Sequence, residues 1–105
     1  MLDVKELLKM TGLEVAETSF LKAPALPFII FLQDVEEAGA DIKNNIIERN
    51  VTVEFYSARI NNEKEKIIED LLREKLIKFK KERVYIENQN FFETIYTFSL
   101  YEKEV

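Results

Sequence analysis

Four carboxylates gather in one stretch of the chain: Asp34, Glu36, Glu37 and Asp41. Oxygen ligands of this type suit calcium or magnesium, and a facing pair could share acid–base work in a hydrolysis. The spacing lacks the alternate-position ligands of a calcium loop, and Gly39 follows most of the acids instead of turning the chain among them. The simpler reading is a solvated acidic loop, a candidate for contacting a partner. Lys78, Lys80, Lys81 and Arg83 form the basic counterpart, with Phe79 and Tyr85 interleaved as in an aromatic-plus-basic platform for nucleic acid. Glu82 and Glu87 interrupt that run, and lysines along a strand equally protect a sheet edge. The aromatics Phe91, Phe92, Tyr96, Phe98 and Tyr101 sit mostly at strand spacing, which suits a core better than a ligand cage.

The absences exclude more than these clusters suggest. With His 0 and Cys 0, there is no imidazole base, thiolate nucleophile, Cys/His zinc site or disulfide. Gly12 and Gly39 are the 2 glycines, too few for a phosphate loop or a dinucleotide fingerprint. No residue reads as catalytic, and no cofactor or metal is expected. A net charge of −5 opposes tight nucleic-acid binding. The opening Met1-Leu2-Asp3-Val4-Lys5-Glu6 lacks the basic start and apolar run of a signal peptide. The longest apolar run, Ala23 to Leu32, is broken by Pro24 and Pro27 and is too short for a membrane helix. The expected location is therefore a cytoplasm, with no membrane partner.

The 105 residues, 47% hydrophobic and 33% charged, are enough for one core, so residues 1–105 read as a single domain. Leu2, Val4, Leu7, Leu8 and Met10 recur at helical spacing and predict a helix over 2–11, with Gly12 as its left-handed cap. Glu14-Val15-Ala16-Glu17 offers a brief strand signal, and the two prolines make 22–27 an extended connector. Pro24 and Pro27 have the spacing of a proline-rich ligand motif, but the second leads straight into a strand. Phe28-Ile29-Ile30-Phe31-Leu32 is apolar throughout, which predicts a strand covered on both faces. Val51, Val53 and Phe55 alternate with Thr52, Glu54 and Tyr56 in a second strand. Asn62 and Glu65 suggest a capping box opening an amphipathic helix with Ile67, Ile68, Leu71, Leu72 and Leu76 on its apolar stripe. Strands over 78–87 and from Phe92 to Leu100 follow, turned by Asn88-Gln89-Asn90. The expected fold is α+β: a mainly antiparallel sheet of about four strands built from two hairpins, an N-terminal helix, and one amphipathic helix between the hairpins.

This order resembles the small tail-completion proteins of tailed bacteriophages. Leu26-Pro27-Phe28-Ile29-Ile30-Phe31 is similar to their first strand, and Val53-Glu54-Phe55-Tyr56-Ser57 to their second. Asn62 to Leu76 takes the place of their acidic helix. Lys81 to Glu87, then Phe91 to Phe98, resemble their closing hairpin. The resemblance implies a structural virion protein of a phage, prophage or phage-tail-like particle. Such a protein caps the tail tube as a homo-oligomeric ring, a hexamer by family resemblance, and joins the tail to head or collar. Its implied partners are itself, the tail tube protein, and head–tail connector or collar proteins. Its implied location is the host cytoplasm during assembly and then the particle.

A single small sheet under two short helices leaves apolar positions over. With Phe28, Ile30 and Leu32 toward the core, Ile29 and Phe31 point to the other side and are the expected subunit interface, unless the first helix covers them within one chain. Two other classes stay open: a regulatory or inhibitor domain that binds a host protein, and a small ligand-binding module.

Overall fold

The computed structural model describes residues 2–40 and 45–104, without the side chains of 37–40, 45, 103 and 104. Helix α1, Val4–Lys9, starts where the Asp3 carboxylate accepts the Glu6 N–H at 3.1 Å. It is shorter than the periodicity predicts, because the chain tightens at Met10 and Thr11 before Gly12 turns it at φ 82°. The buried Thr11 hydroxyl fastens this corner, donating to the Leu8 carbonyl at 2.7 Å and accepting the Leu13 N–H.

Five strands follow in one sheet, not four: β1 Glu14–Glu17, β2 Phe28–Ala40, β3 Asn45–Ser57, β4 Lys80–Ile86 and β5 Phe91–Glu104. Their order is β1-β2-β3-β5-β4, with β1 parallel to β2 and every other pairing antiparallel. The weak strand signal at Glu14–Glu17 is thus a real strand, laid against β2 where Glu14 pairs with Phe28. The larger correction concerns the expected acidic loop. Asp34, Glu36 and Glu37 lie within β2, which runs 13 residues and pairs with β3 as far as Ala40 opposite Asn45. Carboxylates are poor strand formers, but the ladder of backbone bonds to β3 overrides that local preference. Asp41 lies outside the described residues.

Helix α2, Asn62–Glu74, begins one residue earlier than the capping-box reading implies. Its N-cap is Asn61, whose side-chain oxygen accepts the Lys64 N–H at 3.0 Å. Glu65 is therefore not a capping residue and turns toward the sheet.

Both helices pack on the same face of the sheet. Val4, Leu7 and Leu8 of α1 and Ile68 and Leu72 of α2 meet Val15, Ile29, Phe31, Val51, Val53, Phe55, Tyr96 and Phe98 in one core. The register explains the set: Val15 pairs Ile29, Ile29 pairs Phe55, Phe31 pairs Val53, and Val53 pairs Tyr96, so all share a face. Ile29 and Phe31 are 0% and 1% exposed. They belong to the core and not to a free surface, which corrects the interface expected there. The residues that alternate with them, Phe28, Ile30 and Leu32, occupy the other face, where Phe28 and Ile30 are half-buried and Leu32 is exposed.

Candidate assembly surfaces

Among the described residues, the sheet face opposite the helices carries no helix of its own. Phe20, from the connector after β1, stacks edge-on against Phe28 at 5.3 Å between ring centres. Phe28 meets Tyr56 at 5.3 Å, and Tyr56 meets Phe91 at 5.5 Å. This aromatic row crosses one end of the sheet, and Ile30, Ile95 and Leu32 extend it along the strands. The same face bears Glu14, Asp34, Glu36, Glu48, Glu54, Glu82 and Glu93, so it is apolar and acidic together. Burial raises the Glu54 carboxyl above its ordinary range, and the charge of the neighbouring Glu93 adds to the effect. The Tyr56 hydroxyl donates to Glu54 at 3.2 Å.

On the helix-covered face, the residue that sequence reasoning missed is Glu65. Its side chain is 2% exposed and accepts from Arg83 Nε at 3.1 Å, Lys81 Nζ at 2.9 Å and Thr94 Oγ1 at 2.8 Å. Burial pushes this carboxyl up, but the hydrogen bonds from Arg83, Lys81 and Thr94 outweigh it and hold the group at about 2. Glu69, one turn on, takes Lys81 at 2.7 Å and the Tyr96 hydroxyl at 2.8 Å, and it too is lowered despite its burial. The expected basic platform is thereby divided. Lys81 and Arg83 fasten β4 to α2, whereas Lys80 lies on the open face with Glu82. The signal available in sequence was the i,i+4 pair Glu65 and Glu69, acidic residues on the apolar side of an amphipathic helix.

A second buried charge anchors the far end of the core. Arg49 donates to the Leu2 carbonyl and to Gln33 Oε1, both at 2.9 Å, and forms an ion pair with Glu102. It ties β3, β2, β5 and the start of the chain together beside α1.

Among the described residues, no group of three or more Asp and Glu is arranged to hold a metal ion, and no helix is long and apolar enough to cross a membrane. Tyr96 and Phe98 of the aromatic set are core residues, and Tyr101 is exposed. Phe92 stacks on Tyr85 at 4.9 Å beside a shallow depression of about 650 Å³ lined also by Arg59, Ile60 and Asn90. The depression presents no buried polar side chain to a ligand.

These features define an α+β chain with one face closed by two helices and the other left open. No protein-family model matches the sequence, and no curated protein matches it. Among solved structures, the fold is similar to a chain described as "Virion of native gene transfer agent (GTA) particle". The TM-score is 0.66 at 12% identity, over 92% of this chain and 84% of that one. At that identity the likeness is one of fold.

Proposed function

We propose that this chain is a structural protein of a phage, prophage or phage-like particle, capping the tail tube as a ring and joining tail to head or collar. The observation that carries the reading is the fold shared with a virion chain across 92% of this sequence. Three features of the chain itself support it. The open face sets the half-buried Phe28, Ile30, Tyr56 and Ile95 beside the exposed Leu32 in one surface, which assembly would bury further. The sequence also lacks Cys and His, and with them a thiolate nucleophile and an imidazole base. Its negative charge suits a ring that DNA must traverse without being held.

The test is genetic and uses Ile30→Asp in the source element. Ile30 lies half-buried on the open face, outside the core, so the variant is expected to fold while charging the surface to be buried. Tails of uncontrolled length, or tails that fail to join heads, are the expected outcome. Normal particles, with the variant protein folded and present, would overturn the proposal.

A further inference from the structure

We propose that copies of this chain join edge to edge, β4 of one copy against β1 of the next, continuing the five-stranded sheet from subunit to subunit. The proposal rests on the ring reading above and names its interface.

β1 and β4 are the two outer strands of the sheet, each hydrogen-bonded to a strand on one side only. Such edges offer backbone donors and acceptors to an added strand. Their charges differ in sign. β1 carries Glu14 and Glu17, both exposed, with the small Ala16 between them. β4 carries Lys80, Lys81 and Arg83 against the single acid Glu82. Two β1 edges together would oppose net negative charge, and two β4 edges net positive charge. β4 against β1 sets net opposite charges together. That pairing joins two different surfaces, so it generates a closed ring or a filament and not a two-fold dimer.

Strand direction agrees. β1 runs parallel to β2, and three antiparallel steps through β3 and β5 then reverse β4 relative to β1. In a ring whose subunits all stand the same way up, β4 therefore meets the next β1 antiparallel, the more stable pairing. The rows also align. Lys81 pairs Tyr96, Tyr96 pairs Val53, Val53 pairs Phe31, and Phe31 pairs Glu17, all on one face. Extending that row across the boundary sets the next copy's Glu17 opposite Lys81 and its Ala16 opposite Glu82. Lys81 and Arg83 retain 34% and 31% side-chain exposure beyond their contacts with α2, which leaves them open to an incoming carboxylate.

Cysteine cross-linking of the full chain tests this, since Cys is 0 in the natural sequence. Ala16→Cys is combined in turn with Lys80→Cys, Glu82→Cys and Val84→Cys, which cover the unshifted register and a slide of two residues either way. Light scattering of the unsubstituted chain is run in parallel up to millimolar concentration. The expected result is that one pair yields a disulfide ladder ending in a closed species, reversed by reductant, whereas single-cysteine chains do not go beyond dimers. Adding Glu14→Lys and Glu17→Lys to that pair should cut the ladder several-fold at low salt and less at high salt. If the chain assembles but no pair cross-links, the edge interface is overturned while the ring reading survives. A Glu82→Cys chain that links efficiently to itself would overturn it in favour of two-fold pairing. A monomer at every concentration, without cross-links, would overturn it as well.

Discussion

Glu65 of α2 and Arg83 of β4, 18 residues apart, are joined by a two-point ion pair, with the Arg83 Nε at 3.1 Å from a carboxylate that is 2% exposed. The pair clamps the edge strand to the helix that covers the sheet, and Lys81 reinforces it from the same strand. Replacing Arg83 by Met leaves Lys81 and Thr94 on the carboxylate and should cost about 1.5–3 kcal/mol. Replacing both Lys81 and Arg83 by Met leaves a buried charge without a cation and should cost about 3–5 kcal/mol. Urea denaturation of the single and double variants measures both values.

The same carboxylate makes stability depend on pH. Burial opposes its charge, but the bonds from Arg83, Lys81 and Thr94 hold it at about 2 in the folded chain, against an ordinary 4.5. A group depressed on folding contributes stability that is fully present above about 4.5 and is lost as pH falls through about 2. Urea midpoints followed from pH 7 downward should therefore fall across that window. Glu65→Gln should start lower at neutral pH and show a flatter decline.

On α2, Leu72 is fully buried and Leu71 half-buried. Leu72→Ala should cost about 2–5 kcal/mol, Leu71→Ala clearly less, and the exposed Glu63→Ala no more than about 0.5 kcal/mol. Equal effects in denaturant melts would contradict the packing described.

Phe31 and Ile30 are adjacent yet face opposite sides of β2. Phe31→Asp puts a carboxylate into the core and should abolish the cooperative melt, whereas Ile30→Asp should keep it. Circular dichroism melts of the two purified variants distinguish the faces directly.

Leu76 ends α2 in the left-handed region at φ 59°, with its N–H on the Arg73 carbonyl, and its side chain is 91% exposed. A leucine in that backbone geometry is strained and gains nothing from burial. Leu76→Gly should raise stability by up to about 1 kcal/mol, read as a higher thermal midpoint.

Lys81 and Arg83 are already engaged by Glu65 and Glu69, and the open face is acidic. Duplex DNA should therefore bind only weakly at physiological salt. Sub-micromolar, steeply salt-dependent binding in a polarisation assay would reverse that expectation.

Periodicity in the sequence determined which segments become helices and strands: Ile68 and Leu72 recur at helical spacing, and Val51, Val53 and Phe55 at strand spacing. The missing His and Cys likewise narrowed the chemistry before any fold was known. Tertiary structure alone decided which face of β2 is the core. Phe28 to Leu32 is apolar at every position, so its own pattern has no inside, and only pairing with the alternating β3 assigns Ile29 and Phe31 to the helix side. It also turned Asp34 and Glu36 from loop into strand, because a ladder is stabilised by its partner strand and not by the residues' own propensity. Glu65 reads as one more surface acid until β4 arrives beside α2 with Lys81 and Arg83. The charge is tolerated in the interior because those cations come from a strand distant in sequence, a meeting that only the folded chain brings about.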